Sequence, residues 1–185
     1  MKEIALHLLD IVQNSVRAGA SVVEIGFDLD SSGMLVMSVA DDGCGMSPEL
    51  LERVRSPFTT TRTTRKVGLG IPLLMQNAML SGGGLELNSE EGRGTVLKAT
   101  FNTRSIDCLP LGDLASTMAT IIMGSPDRPE FHLRCHSPEG EMSFTTEEVR
   151  AVLGEDVPLS EPAVSGWIQQ SIQEEIEPIF GGIMR

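Results

Sequence analysis

Polar residues whose types and spacing could do chemistry occur early in the chain. Asp10 and Asn14 lie four residues apart in "LLDIVQNSV", a spacing that puts both side chains on one face of a helix. The segment "ADDGCGMS" sets Asp41 beside Asp42 and follows them with two glycines, whereas a plain turn needs one glycine and no acid pair. Both segments therefore offer clustered oxygen atoms for a ligand.

A third segment, "SPFTTTRTTRKVGLGIP", concentrates cations in a chain whose formal net charge is −12 at pH 7. Arg62, Arg65 and Lys66 follow a run of threonine hydroxyls, and "GLGIP" leads into a helix. The free N–H groups and the dipole of a helix start would point at an anion. This pattern predicts a local anion site. A flexible, phosphorylatable loop is the alternative, and a dinucleotide fingerprint would require a strand before the glycines.

Hydrophobic periodicity predicts the elements that position these segments. Helical spacing is found over residues 2–18 and after Pro72, and Ser47 with Pro48 is typical of a helix start. Alternating patterns predict strands at residues 21–30, 34–40, 85–90 and 94–101, which form two hairpins. This order of elements is typical of a layered α+β protein.

The character of the chain changes after Phe101. The sequence predicts a helix at 111–124, a hairpin at 130–145, and helices at 146–154 and 161–180. No chemical motif stands out there. We therefore expect a domain at residues 1–101 and a small α+β extension at residues 102–185.

Composition limits the classes of function. The chain has 185 residues, 41% of them hydrophobic, and a pI near 4.6, which disfavours a general electrostatic grip on nucleic acid or anionic lipid. Three scattered cysteines and the lack of an apolar run near 20 residues predict a cytoplasmic protein outside the membrane. No oligomeric state is indicated.

A metal site at His132, Cys135 and His136 is disfavoured by the strand pattern of "EFHLRCHS". The two histidines would share one face while the cysteine points to the other, and no fourth ligand is apparent.

Five segments in order, "LLDIVQNSVRAGA", "VADDGCGM", "SPFTTTR", "GLGI" and "EEGRGT", resemble the ATP-binding domain shared by DNA gyrase B, Hsp90, sensor histidine kinases and MutL (the GHKL superfamily). The short segment at 56–70 is most similar to the corresponding segment of histidine-kinase-like and anti-sigma-kinase-like members. The resemblance implies a two-layer sandwich, with a mixed, mostly antiparallel sheet and helices on one face.

The resemblance also implies ligands and roles for individual residues. Asp41 would accept a hydrogen bond from the exocyclic amino group of adenine, with help from Thr95. Asn14 would be an oxygen ligand of the Mg²⁺ that bridges the triphosphate of ATP. Asp10 stands where hydrolytic members place a glutamate that orients the attacking water, and its side chain is one methylene shorter.

Glycines near Asp41 would let the backbone turn sharply and approach the base, and Met46 would pack on the ring. These glycines are Gly43 and Gly45. The remaining nucleotide contacts implied by the resemblance are Thr59, Thr60, Thr61, Arg62, Lys66, Gly68, Leu69, Gly70 and Ile71.

Taken singly, each motif has a simpler interpretation. The first helix could be an ordinary amphipathic helix, the Asp41 segment a hairpin end or a calcium-type loop, and residues 84–101 a plain hairpin. Taken together, they predict a Mg-dependent ATP-binding protein, either a stand-alone ATPase or a regulatory module that docks a partner protein through residues 102–185. The alternatives are a kinase acting on Ser or His of a separate protein, and a scaffold that binds nucleotide without hydrolysis.

Overall fold

The computed structural model describes residues 2–55, 70–154 and 157–184. In chain order the elements are α1 (Ile4–Arg17), β1 (Val22–Leu29), β2 (Met34–Asp41), α2 (Pro48–Arg55), α3 (Gly70–Leu80), β3 (Gly84–Glu90), β4 (Gly94–Asn102), α4 (Leu114–Gly124), β5 (Glu130–Ser137), β6 (Gly140–Thr145), α5 (Thr146–Leu153) and α6 (Pro162–Phe180). Each predicted helix and strand is confirmed, with ends that shift by a few residues. None of the described helices has the length and apolar composition needed to cross a membrane.

The strands form one six-stranded sheet in the order β3-β4-β2-β1-β5-β6. Every neighbouring pair is antiparallel except β1 and β5, which run parallel. The three antiparallel hairpins are the ones that the sequence predicts. This arrangement confirms a mixed, mostly antiparallel sheet.

One face of the sheet is buried and the other is open. In β1 the side chains of Val23, Ile25 and Phe27 are buried, while Glu24 and Asp28 are exposed, as expected for a strand with one core face. Helices α1, α2, α3, α5 and α6 contact strands, and α4 contacts both α1 and α6. The predicted two-layer α+β sandwich is therefore confirmed.

The sheet is continuous across the predicted boundary at residue 101. Strand β5 pairs with β1 from Val22 opposite Glu130 to Asp28 opposite His136. Phe131 belongs to the same buried core as residues of β1 and β4. A division into two domains stays a prediction, but the later residues extend the sheet that the earlier residues begin.

The start of α1 is held by the segment that precedes α4. Glu3 makes no side-chain cap; instead the N–H of Ile4 donates to the carbonyl of Pro110 at 3.0 Å and that of Ala5 to Leu111 at 2.9 Å. The N–H of Leu111 in turn donates to the carbonyl of Ile183 at 2.9 Å. The first N–H groups of a helix need partners from outside it, and here residues late in the chain supply them.

The turn between β3 and β4 packs against the end of β2. Gly94 is buried with a φ of +104°, and a Cβ there would lie 1.9 Å from the carbonyl oxygen of Asp41. Gly92, in the same turn, also has a positive φ of +79°, but a Cβ there would meet nothing within 4 Å. Only at Gly94 does a side chain collide with the neighbouring strand.

We predict that Gly94→Ala destabilises the protein much more than Gly92→Ala. Both substitutions impose a left-handed backbone on alanine, which costs about 1–2 kcal/mol. Gly94→Ala must also displace backbone of β2, so its loss in free energy of unfolding should exceed that of Gly92→Ala by about 2 kcal/mol or more. Urea denaturation of both variants measures the difference. Equal losses would contradict the packing of this turn.

Candidate functional site

Asp41 is the last residue of β2, and both of its carboxylate oxygens have protein donors. Its Oδ2 accepts a hydrogen bond from the Ser15 hydroxyl of α1 at 2.6 Å, and its Oδ1 accepts one from the N–H of Gly43 at 3.0 Å. The side chain is half-buried. Because each carboxylate oxygen has two lone pairs, Asp41 is fixed in orientation and can still accept from a ligand.

Thr95, the second residue of β4, lies opposite Asp41 in the sheet register, so the two side chains share a face. Its hydroxyl oxygen lies 2.9 Å from the hydroxyl oxygen of Ser89. Ser89 also accepts the N–H of Met46 at 2.9 Å. The structure therefore brings three residues of the predicted base-binding end together and shows that Ser89 connects two of them.

The two glycines after Asp41 are required by the surrounding protein. A Cβ at Gly43 would lie 2.8 Å from the Cβ of Ala18, at the end of α1. Gly45 has a φ of +64°, and a Cβ there would lie 2.0 Å from the carbonyl oxygen of Glu90. The loop thus lies directly against α1 on one side and against the turn between β3 and β4 on the other.

Asp42, the second acid of the pair, does not face the same place as Asp41. Its Oδ1 accepts the N–H groups of Ser21 at 2.7 Å and Val22 at 3.0 Å, and the residue is exposed. These backbone hydrogen bonds, with that from Val22 the largest cause, lower the pKa of Asp42. The second acid therefore caps the start of β1.

At the other end of the site, Asp10 of α1 lies against the first residue of α3. A Cβ at Gly70 would be 3.1 Å from the Cβ of Asp10 and 3.3 Å from its Oδ2. The start of a helix carries unpaired N–H groups and a partial positive charge. Ile71, the next residue, is partly buried against the core, and Asn14 is exposed one turn along α1.

Helix α1 therefore joins the two ends of the site. Asp10 and Ser15 are five residues apart, which corresponds to about 7.5 Å along a helix axis. Hydrogen-bond acceptors lie at the Asp41 end, and a helix start lies at the Asp10 end. This layout suits an elongated ligand with a polar ring at one end and negative charge at the other.

The predicted contacts Thr59, Thr60, Thr61, Arg62, Lys66, Gly68 and Leu69 lie outside the described residues. Their assignment to the phosphate groups stays a prediction. The described part of the site consists of α1, the loop after β2, the start of α3 and the start of β4.

The described residues contain no group of three or more His, Cys, Asp or Glu side chains that could hold a metal ion. In β5, Cys135 is buried in the core while His136 is exposed on the other face of the sheet. Burial raises the pKa of Cys135 to about 12, so its thiolate, the form that binds metals, is strongly disfavoured.

Two serines of the site were missed by sequence reasoning. Ser15 falls on the buried face of α1 and is only 3% exposed. A buried hydroxyl needs a hydrogen-bond partner, so the position of Ser15 on the apolar face of the helix was the signal that could have indicated its contact. Ser89 gave no comparable signal, because an alternating strand allows a polar residue at that position.

His7 is a further buried polar residue on α1. Its Nε2 lies 2.8 Å from the Nδ2 of Asn77, which ties α1 to α3. Its Nδ1 is buried and has no hydrogen-bond partner among the described residues. Burial, the largest cause, lowers the pKa of His7 below its ordinary value of 6.5, and the negative charge of Asp10 acts in the opposite direction.

Comparison with protein families identifies the class of the chain. The family described as "Histidine kinase-, DNA gyrase B-, and HSP90-like ATPase" matches residues 2–105. This chain belongs to that family. The match covers the whole of α1 to β4, and so all of the site described above.

Individual relatives agree with this class. The chain is 32% identical over 114 residues to the non-motile and phage-resistance protein of Caulobacter vibrioides. This match covers 58% of this chain and 14% of that protein. It is 34% identical over 101 residues to the histidine protein kinase DivJ of the same organism, covering 52% of this chain and 17% of the kinase. The matches therefore span less than a fifth of either relative.

A solved structure of the N-terminal domain of a DNA repair protein shares the fold. It superposes with a TM-score of 0.51 at 13% identity, over 78% of this chain and 52% of that one. At this identity the likeness shows architecture alone. The chain thus carries an ATPase domain of the histidine-kinase-like family, a class that supports ATP binding.

We predict that His7 makes the protein less stable in mild acid. As the pH falls below 6.5, the unfolded chain binds a proton at His7 that the folded chain resists, so the free energy of unfolding must decrease. Denaturant unfolding between pH 7 and pH 5 should show a smaller decrease for His7→Gln than for the wild type. A His7→Gln slope equal to the wild type would contradict the prediction.

Proposed function

We propose that this protein binds ATP together with Mg²⁺ along α1. The adenine would lie at Asp41 and Thr95, and the triphosphate would extend toward Asp10 and Asn14. The observation that carries the proposal is the Asp41 carboxylate, which Ser15 and Gly43 hold beside Thr95 while leaving acceptor positions open. An adenine amino group supplies the donors that such a carboxylate lacks.

Asn14 suits a metal that arrives with the nucleotide. Mg²⁺ prefers oxygen ligands, keeps several waters and is commonly held by one or two side chains with phosphate oxygens. The side chain of Asn14 is exposed on the same helix as Asp10, and no acidic metal cage is found among the described residues. We therefore propose that phosphate oxygens supply most of the Mg²⁺ ligands that the protein does not provide.

Asp10 is our proposed positioning group for water in hydrolysis. Its carboxylate, on α1, lies against the first residue of α3, next to the place proposed for the terminal phosphate. Its reach is shorter than that of the glutamate in hydrolytic relatives, which favours slow turnover. Phosphate release from purified protein with Mg-ATP distinguishes a stand-alone ATPase from a module that only binds nucleotide.

Coupling to a partner protein is proposed through residues 102–185. The contacts that favour it are the hydrogen bonds from the first turn of α1 to Pro110 and Leu111, because a change in α1 would alter this segment directly. Phosphotransfer to a separate protein is a second candidate, favoured by the similarity to the histidine protein kinase DivJ. Radiolabel from ATP on a second protein would support that candidate.

The adenine assignment predicts that Asp41→Asn weakens ATP binding by about tenfold or more, since a hydrogen bond to a charged group contributes about 1.5–3 kcal/mol. Asparagine has one acceptor oxygen where aspartate has two. Calorimetric titration with Mg-ATP measures the effect. Asp42→Asn is the matched control, because Asp42 caps β1 and should leave the affinity nearly unchanged. Equal affinities for wild type and Asp41→Asn would refute the assignment.

The magnesium assignment predicts that Asn14→Ala affects ATP affinity only when Mg²⁺ is present. We expect a loss of about tenfold, or ~1.4 kcal/mol, with Mg²⁺, and little change in EDTA, because the amide oxygen would act on the metal. Gln13→Ala, one residue earlier and also exposed, is the control. A loss of the same size with and without Mg²⁺ would show that Asn14 does not act through the metal.

A further inference from the structure

We propose that His7 and Asn77 form a proton-sensitive joint between α1 and α3, and that this joint positions the phosphate end of the site. The joint is closed while His7 is neutral and opens when the imidazole takes up a proton, so nucleotide affinity falls in acid. The proposal rests on the proposed function, because it concerns the regulation of the same site. His7 is a positioning residue, which acts through the place of α3 relative to Asp10.

Two contacts join α1 to α3 at different points along the helices. His7 Nε2 lies 2.8 Å from Asn77 Nδ2, and a Cβ at Gly70 would lie 3.1 Å from the Cβ of Asp10. On α1, His7 precedes Asp10 by less than one helical turn, and on α3, Gly70 precedes its hydrogen-bonded asparagine by about two turns. Because a helix moves as a unit, a displacement at the His7 contact shifts the start of α3 against Asp10.

The hydrogen bond between His7 and Asn77 requires the neutral imidazole. An amide nitrogen donates and does not accept, so Nε2 of His7 accepts from Asn77 and the ring hydrogen lies on Nδ1. Protonation adds a hydrogen to Nε2 and places two donors face to face at 2.8 Å. The contact that joins the helices then becomes repulsive.

The charged imidazole also lacks a partner for its second nitrogen. The His7 side chain is 0% exposed, and its Nδ1 has no hydrogen-bond partner among the described residues. If the Asn77 amide turned over to offer its oxygen to Nε2, the Nδ1–H would still have no acceptor there. A buried charged donor without a partner is costly. Protonation therefore favours an arrangement that opens this interface to water.

Few charges face His7 from the elements packed against α1. Helices α3 and α4 both contact α1, and neither contains an Asp, Glu, Lys, Arg or His. Asp113 caps the start of α4, and Asp41 of β2 bonds the last turn of α1. Burial, the largest cause, and the positive charge of the amino terminus lower the pKa of His7, whereas Asp10 raises it. The closed interface therefore resists the proton.

The sign of the effect on nucleotide affinity follows from this resistance. Above pH 6.5, the ordinary pKa of the group, His7 is neutral with and without nucleotide, so it adds no pH dependence. Below its lowered pKa, the free protein takes up a proton that the closed, nucleotide-bound form excludes, and the affinity decreases. Linkage between two binding events is reciprocal, so the nucleotide must in turn lower the pKa of His7.

A purely structural role for His7 predicts a different result. If the hydrogen bond to Asn77 only stabilises the packing of α1 on α3, a side chain that cannot titrate would change the affinity by the same factor at every pH. The pH dependence of the affinity therefore separates a structural role from a proton-sensitive one.

The test is calorimetric titration of the full chain with Mg-ATP from pH 7.5 to pH 5, for the wild type and for His7→Gln. Glutamine can offer its amide oxygen to Asn77 and does not ionise in this range. The ratio of the two affinities cancels the ionisation of ATP, because both proteins bind the same ligand. The wild-type affinity should fall relative to that of His7→Gln by about threefold to tenfold per pH unit below the pKa of His7, tenfold being the limit for one linked proton. A constant ratio over the whole range would overturn the proposal.

His132→Gln is the matched control. His132 lies on β5 opposite Glu24 of β1, on the open face of the sheet rather than among the helices. Its protonation is the same with and without nucleotide, so this variant should keep the wild-type pH profile of the affinity. A flattened profile in His132→Gln would overturn the assignment of the effect to His7.

Asn77→Asp tests the other half of the joint. A carboxylate accepts a hydrogen bond from the protonated imidazole and raises its pKa, so the pair stays closed when His7 carries a proton. The loss of Mg-ATP affinity in acid that depends on His7 should therefore disappear in this variant. A wild-type pH profile in Asn77→Asp would contradict the role of the pair.

Failure of the joint and failure of the proposed function give different results. A wild type that does not bind Mg-ATP at pH 7.5 would overturn the proposed function, whereas binding with a constant affinity ratio would overturn the joint alone. If His7→Gln does not fold, NMR titration of the wild-type histidines carries the test. Mg-ATP should lower the pKa of His7 and leave that of His132 unchanged. A His7 pKa that does not respond to the nucleotide would contradict the proposal.

Discussion

The site depends on one half-buried carboxylate at the end of β2. A charge in this position is costly unless donors surround it, and Ser15 and Gly43 provide two of them. One donor belongs to α1 and the other to the loop after β2. Satisfying Asp41 therefore fixes the helix, the loop and the strand relative to one another, and with them the place where a ligand can bind.

Helix α1 is held at three points along its length. Pro110 and the following residue accept the N–H groups of its first turn, His7 connects its second turn to Asn77 of α3, and Ser15 connects its last turn to Asp41. The side chains proposed to meet the triphosphate lie between these points. Packed elements shift between discrete arrangements rather than deforming continuously. A movement of α3 or of the segment before α4 would therefore be transmitted to the side chains proposed to meet the triphosphate.

Local signals in the sequence were sufficient to predict the helices, the three hairpins and the alternation of β1, because turn glycines and periodic burial are set by neighbouring residues. The parallel pairing of β1 with β5 joins segments far apart in the chain and has no local signal. The contact of Ser15 with Asp41 was missed for the same reason. Asp41 and Thr95 were predicted to act together from the order of the motifs, and the structure adds that they are cross-strand partners.

A crystal structure of the full chain with Mg²⁺ and a non-hydrolysable ATP analogue would test the central claim most directly. The site proposed here requires the adenine amino group within hydrogen-bond distance of the Asp41 carboxylate, about 2.7–3.2 Å between heavy atoms. It also requires the metal at the Asn14 side chain and the terminal phosphate near Asp10. A nucleotide bound elsewhere, or bound with its base turned away from Asp41, would contradict it.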